Sequence, residues 1–127
     1  MKKAIGVPDL PTVGPYSPAI RAGDFLFISG QIPMDAAGKL VPGGIEEQAR
    51  RAMENLKRVL DAAGASLKDL VKVTIYLVDM GDFAVVNKVY GSYFDLDPPA
   101  RACVAVRELP KGARVEIEAV AYLAEES

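Results

Sequence analysis

The sequence predicts one α+β domain in which a single sheet carries both helices on one face. Three observations support this fold class. The predicted elements follow the order strand, strand, helix, strand, helix, strand, strand; one helix is strongly amphipathic; and the strands after it alternate apolar and polar residues. The chain has 127 residues, half of them hydrophobic and a quarter charged, which is the balance of one globular domain. We therefore expect residues 1–127 to form a single domain.

Local patterns along the chain predict each element. An arm rich in proline and glycine occupies residues 1–15. In the helix at 45–63, apolar residues recur every three or four positions, glutamate–arginine pairs lie four apart on the other side, and Gly64 is a suitable end. Asp79 is expected to cap a second helix, and consecutive prolines after Asp97 lead into a strand. The predicted strands cover residues 16–21, 25–29, 71–78, 101–107 and 114–123, and the predicted helices cover 45–63 and 81–94.

The alternation of side chains assigns the last two strands to faces of the sheet. Arg101 and Cys103 are expected to point away from the helices, together with Glu116 and Glu118. The linker around Pro110 is short enough for a hairpin, and one register of two or three places Cys103 opposite Glu116. The residues of the fourth strand expected to pack on the helices are Ala102, Val104 and Val106.

Composition excludes several classes of function. The formal net charge is −2, without the basic stripe of a nucleic-acid-binding protein. There is no histidine, which removes the usual general base and the commonest zinc ligand, and the one cysteine excludes an intrachain disulfide. The first residues lack a signal peptide, and no apolar run approaches a membrane span, so we expect a cytoplasmic protein without a metal site.

Because histidine is absent, Arg101 and Glu116 are the leading candidates for the residues that carry the chemistry. An arginine and a glutamate on one sheet face also fit a simple cross-strand ion pair, and that interpretation stays open on spacing alone. Cys103, beside small apolar residues, fits a core position equally well. The face that carries these groups is too apolar for solvent and too polar for a core. We therefore expect a second copy of the chain to cover it, with a cleft between subunits.

Five segments, in order and over nearly the whole chain, resemble the RidA family of reactive intermediate deaminases, also called the YjgF-type or liver perchloric-acid-soluble protein family. The resemblance implies a chorismate-mutase-like subunit (bacillar type), a homotrimer with sites between subunits, and no cofactor. It also implies hydrolysis of 2-aminoacrylate-type enamines and imines (2-iminobutanoate and 2-iminopropanoate) to 2-oxo acids and ammonia. The segments are Gly14-Pro15-Tyr16-Ser17, Ser29-Gly30-Gln31-Ile32-Pro33, Asn87, Pro99-Ala100-Arg101-Ala102-Cys103-Val104 and Val115-Glu116-Ile117-Glu118-Ala119.

The resemblance also implies roles for individual residues. Arg101 matches the arginine that binds the substrate carboxylate, Glu116 the acid that positions or activates water, and Cys103 a position whose backbone helps to hold that water. A carboxylate in a partly apolar cleft is expected to have a raised pKa. Pro18 stands where many members have glutamine. Four further residues match positions that line or support the cleft: Tyr16, Ser29, Gly30 and Asn87.

Two other functions remain as alternatives. The family's older names suggest an endoribonuclease or translation inhibitor. The absence of histidine and the slightly acidic charge weigh against this alternative, because RNA cleavage favours acid–base groups and a basic track. A non-catalytic trimer that binds 2-oxo acids as a regulator is the second alternative. The small carboxylate is the expected ligand in the leading interpretation and in the second alternative, and a membrane partner is not expected.

Overall fold

A computed structural model describes residues 1–123 of the chain, so residues 124–127 of the predicted domain lie outside the described part. It contains one six-stranded sheet with two helices on the same face, as predicted. The strand order is β1-β2-β3-β6-β4-β5, and every neighbouring pair is antiparallel except β4 and β5. The elements are β1 Lys3–Ile5, β2 Ala19–Ala22, β3 Phe25–Gln31, α1 Ile45–Ala62, β4 Leu70–Leu77, α2 Phe83–Gly91, β5 Ala100–Ala105 and β6 Val115–Tyr122.

Helix α1 supplies the core, because its apolar stripe packs on the centre of the sheet. Met53 and Leu56 are fully buried, as are Ile75 on β4 and Ile117 on β6, which lie opposite each other in the sheet. The side chain of Asn55 on the same helix donates to the carbonyls of Ile32 and Met34, which fastens the loop after β3. Neither helix of the described residues has the length and apolar character needed to cross a bilayer.

Several predicted bounds differ from the observed ones. The first predicted strand begins three residues later, at Ala19, and the predicted arm contributes the edge strand β1. Val71, the first residue of the predicted strand 71–78, is 43% exposed, and Leu70 is buried instead, because the pairing with β6 shifts between Leu70 and Lys72. The second helix is shorter than predicted: Asp79 caps a 3₁₀ turn by accepting from the Gly81 amide at 2.8 Å, and α2 ends at Gly91.

The predicted hairpin between the last two strands is wrong. Strand β5 pairs with β4 in parallel, and β6 lies on the other side of β4, so Cys103 is opposite Ile75 and Glu116 is opposite Tyr76. The helix between β4 and β5 is the crossover that a parallel pair requires. The linker 106–114 then carries the chain past β4 to its other edge.

The face assignment of β5 is also wrong. Arg101 and Cys103 pair with Val73 and Ile75, which are buried under the helices, so both side chains lie on the helix-covered face. Val104, which was expected to pack on the helices, is 42% exposed on the opposite face. The alternation of residue types on β5 did not indicate which face meets the helices, because both faces of the strand carry small apolar residues. The predicted faces of β6 are confirmed.

The face turned away from the helices is apolar and uncovered in the single chain. Phe25 and Phe27 on β3 and Tyr122 on β6 are each more than 40% exposed, and the Phe25 and Tyr122 rings meet edge to face, 5.3 Å apart. Strand β3 is therefore covered on only one side within the described residues of the single chain. A contiguous apolar surface of this kind is typical of an interface.

Candidate active site

Arg101 lies near the start of β5, beside the last two turns of α2. Its Nη1 donates to Asn87 Oδ1 at 2.8 Å, and its Cζ lies 5.0 Å from the centre of the Tyr90 ring and 5.6 Å from that of Phe83. Guanidinium groups stack favourably on aromatic faces. Within residues 1–123, Asn87 is the one side chain that accepts from Arg101. Of its five N–H donors, most therefore remain open for a ligand, in an orientation that the rings hold.

Glu116 lies on the opposite face, near the start of β6. Its carboxylate sits over Gly30 on β3, where a β-carbon would lie 2.7 Å from Glu116 Cδ and closer still to Oε2. Glycine at position 30 therefore makes room for this side chain. Burial raises the pKa of the Glu116 carboxyl, and the neighbouring charge of Glu118 raises it further, so the predicted direction is confirmed. No side-chain or backbone donor in the described residues binds this carboxylate.

Glu118 and Tyr76 form a hydrogen bond on the same face as Glu116. The Tyr76 hydroxyl donates to Glu118 Oε1, and this bond raises the pKa of the Tyr76 hydroxyl. Tyr76 is also directly opposite Glu116 in the sheet. Sequence reasoning did not pair Tyr76 with Glu118, because that pairing depends on β4 and β6 being neighbours.

Hydrogen bonds fasten the segment around Tyr16 to β3. The Ser29 hydroxyl donates to the Ser17 carbonyl at 2.7 Å, and the Ser29 amide donates to the Pro18 carbonyl at 3.0 Å. The Tyr16 hydroxyl accepts from the Val13 amide at 3.2 Å, and the ring is 42% exposed. These bonds tie the residues that follow Tyr16 to Ser29, which precedes Gly30 on β3.

Cys103 follows Arg101 by two residues on the same face and packs partly buried against the core. Burial raises the pKa of the Cys103 thiol, and the charge of Arg101 opposes this only in part. The thiol is therefore protonated at neutral pH, which argues against a nucleophile. Within the described range, no three Cys, Asp or Glu side chains converge in a way that could hold a metal ion.

The predicted site residues thus form two groups that one chain does not bring together. The first group lies on the helix-covered face, and the second lies on or beside the open face near β3 and β6. The sequence predicted one shared face for Arg101 and Glu116, and this is wrong for the single chain. The first group is Arg101, Asn87 and Cys103, and the second is Glu116, Gly30, Ser29 and Tyr16.

We expect Gly30→Ala to displace the Glu116 carboxylate with little effect on the fold. The three atoms nearest to the new methyl group all belong to the flexible end of Glu116. A misplacement of about 1 Å at a catalytic group costs on the order of 100-fold in rate. Gly6→Ala is the matched control, because nothing lies within 4 Å of a β-carbon there. Turnover and the free energy of unfolding should be measured for both. Full activity in Gly30→Ala would contradict a role for the position of Glu116.

The raised pKa of Glu116 predicts two pH effects. The folded chain holds this proton more tightly than the unfolded chain, so the free energy of unfolding should fall as the pH rises from the ordinary carboxyl range through the raised pKa. If ionised Glu116 serves as a base, activity should fall as the pH drops through that same pKa. Glu118→Gln should move this acid limb to lower pH, because it removes the repelling charge. An unmoved limb, matching that of the surface control Glu46→Gln, would contradict the assignment.

These observations define a class of protein: a small α+β domain with one mixed sheet, two helices on one face, and an arginine whose side chain is oriented by an asparagine and two aromatic rings. The model of the Endoribonuclease L-PSP family matches residues 8–123. The chain therefore belongs to this family, which is the YjgF/RidA family, and the predicted resemblance is confirmed.

Individual relatives span nearly the whole chain. A RutC family protein of Pyrococcus horikoshii is 53% identical over 124 residues, covering 96% of this chain and 98% of its own. A mouse protein named 2-iminobutanoate/2-iminopropanoate deaminase is 46% identical over 123 residues, covering 95% and 91%. The crystal structure of Escherichia coli TdcF with bound serine is 39% identical, with a TM-score of 0.90, covering 96% of this chain and 99% of that one.

Proposed function

We propose that the protein is an imine deaminase that hydrolyses 2-iminopropanoate, 2-iminobutanoate and related imines to 2-oxo acids and ammonia. The observation that carries the proposal is Arg101, whose guanidinium is oriented by Asn87 and by two aromatic rings while most of its donors stay open. A charge-assisted bond of this kind contributes on the order of 1.5–3 kcal/mol to holding a carboxylate. The planar fork also orients the substrate, which a lysine does not do.

Glu116 is the proposed base for the attacking water. The substrate reacts as the protonated imine. As the water oxygen bonds to C2, one water proton passes to the Glu116 carboxylate, and the electron pair of the C2–nitrogen double bond moves to nitrogen, which becomes a neutral amine. Glu116 returns that proton to the nitrogen, the C2–nitrogen bond breaks, and ammonia leaves with the bonding pair. The C2 hydroxyl then becomes a carbonyl, and its proton passes through Glu116 to ammonia, which departs as ammonium. A raised pKa suits a group that takes and returns one proton near neutral pH. The main-chain amide of Cys103 is the proposed partner of the water, and water is the one co-reactant.

The proposed site lies between two copies of the chain. Arg101 and Glu116 face opposite sides of one sheet, so a substrate that touches both requires Arg101 from one copy and Glu116 from the next. The exposed aromatic rings of Phe25, Phe27 and Tyr122 supply an apolar surface for such contact. A ring of three copies, the arrangement that the family resemblance implies, would repeat the same heterologous contact three times and close on itself.

The names of relatives support the proposal at the level of the family. The mouse relative carries the deaminase name, and TdcF was solved with serine, a small molecule that bears both a carboxylate and an amino group. The family model carries an endoribonuclease name. A chain with a net charge of −2 and no histidine is poorly suited to that reaction.

The test is to generate the imine in situ from threonine or serine with a dehydratase and to follow release of the 2-oxo acid. We expect the protein to accelerate release. RNA incubated with the same preparation serves as the second arm, and cleavage that persists after rigorous purification and disappears in Arg101→Ala would favour the ribonuclease. If the protein binds 2-oxo acids but accelerates nothing, it is a binding protein, and Glu116→Gln would then leave ligand affinity unchanged.

A further inference from the structure

A cleft of about 440 Å³ lies beside Arg101, between the last turn of α2 and the segment that leads into β5. We call it the Gly91 cleft. Resting on the function proposed above, we infer that the Gly91 cleft holds the side chain of the substrate and selects large apolar or aromatic side chains. Arg101 and Asn87 line it together with Tyr90, Gly91, Phe94, Pro98 and Pro99.

The lining of the cleft selects a monoanion with an apolar body. Arg101 is the one charged residue among those that line it in the described chain, and no carboxylate competes with a ligand there. Phe94 and the two prolines present apolar surface, and the Tyr90 and Phe94 rings pack with their centres 4.8 Å apart. A carboxylate on Arg101 would therefore place the rest of the molecule against aromatic and proline surface.

The size of the cleft favours a side chain larger than methyl or ethyl. Pockets for small ligands typically enclose roughly 300–1,000 Å³, and this cleft falls in that range. A substrate with a methyl side chain would leave most of the apolar wall of the cleft in contact with water. A leucine-type or phenylalanine-type side chain would remove that wall from water, and this burial is favourable.

Two prolines restrict the backbone of the cleft wall. The rings of Pro98 and Pro99 fix the φ torsions of these residues, and Asp97 before them adopts a left-handed conformation with φ of 52°. A wall whose backbone is already restricted loses less conformational entropy when a ligand binds. Selectivity for an apolar side chain can therefore come from shape without a costly rearrangement.

Gly91 is the position that controls how much of the cleft is open. It is the last residue of α2, its φ lies outside the left-handed region, and nothing lies within 4 Å of a β-carbon placed there. Gly91 lines the cleft, and the β-carbon of a side chain at position 91 would meet no protein atom within 4 Å. Gly91→Leu should fill the space that a large substrate side chain needs and leave Arg101 unchanged.

The experiment measures binding of two 2-oxo acids, phenylpyruvate and pyruvate, by calorimetry. The intact protein should bind phenylpyruvate at least about tenfold more tightly than pyruvate, because even one methylene group in an apolar pocket contributes ~10–200-fold and the two ligands differ by a whole phenyl group. Gly91→Leu should abolish this preference and change pyruvate affinity less than about threefold. Gly91→Ala should give an intermediate loss, and it offers a second variant if the leucine side chain prevents folding. Gly6→Leu adds the same side chain at another open glycine and should keep the preference.

Retention of the preference in Gly91→Leu, an equal loss of both ligands, or no preference in the intact protein would overturn the inference. Hydrolysis of imines made from phenylalanine and from alanine by an amino-acid oxidase separates this result from the proposed function. If both imines are hydrolysed but Gly91→Leu slows them equally, the deaminase stands and the cleft assignment fails. If neither is hydrolysed but phenylpyruvate binding depends on position 91, the deaminase fails and the cleft assignment stands.

Discussion

Replacing Arg101 with alanine should lower kcat/KM for imine hydrolysis by about 100-fold or more, because charge-assisted hydrogen bonds to a carboxylate contribute ~1.5–3 kcal/mol and also orient the substrate. The fold should survive. The guanidinium is only half-buried, and its stacking on Tyr90 and Phe83 contributes about 0.5–1 kcal/mol at a site of this exposure. Initial rates over a range of imine concentrations, with the free energy of unfolding measured on the same samples, check both parts.

Two further variants make the result specific to Arg101. Lysine at position 101 keeps the charge but not the planar fork, so Arg101→Lys should recover only part of the lost activity. Arg50 forms an exposed pair with Glu46 at 3.2 Å on α1, and Arg50→Ala should leave kcat/KM within about twofold, since exposed pairs contribute little. If Arg101→Ala and Arg50→Ala are equally active, Arg101 does not anchor the substrate.

Mixing two inactive variants should restore activity if the site lies between copies. Arg101→Ala and Glu116→Gln should each be nearly inactive alone. When the two are unfolded together and refolded, a site that takes Arg101 from one copy and Glu116 from the next is intact in about a quarter of cases, because the two subunit types assemble at random around a ring. The specific activity of the refolded mixture, relative to refolded wild type, is the measurement.

The reciprocal mixture is the control. Wild type mixed with the double variant R101A/E116Q begins with half of the sites intact, and random reassembly should lower this to about a quarter if each site is shared between copies. If each chain forms its own site, the mixture of Arg101→Ala with Glu116→Gln stays inactive. The mixture of wild type with the double variant then keeps half of the specific activity of wild type. That outcome would contradict the proposed site between copies, because Arg101 and Glu116 would then have to meet within one chain.

The order of residues along the chain was enough to predict those features of the fold that depend on neighbouring residues, such as the buried side of a helix or strand. The spacing of apolar residues in α1 identifies its buried stripe, and Gly64 is the stop, with φ of 75°. The strict alternation of β6 likewise identifies the face of Glu116. The motifs around Tyr16, Ser29, Arg101 and Glu116 also sufficed to identify the family, because each is a short run of consecutive residues and the runs follow one another in the order that the family has.

Only the tertiary structure decided which strands are neighbours and therefore which side chains share a face. Strand β5 lies at the sheet edge with apolar residues on both faces, so alternation could not tell which face meets the helices. The choice between a hairpin and a parallel crossover depends on contacts between residues far apart in the chain. That choice moved Arg101 onto Asn87 and Tyr90 and left Glu116 on the other side of the sheet. The chain alone thus holds the two halves of the candidate site apart.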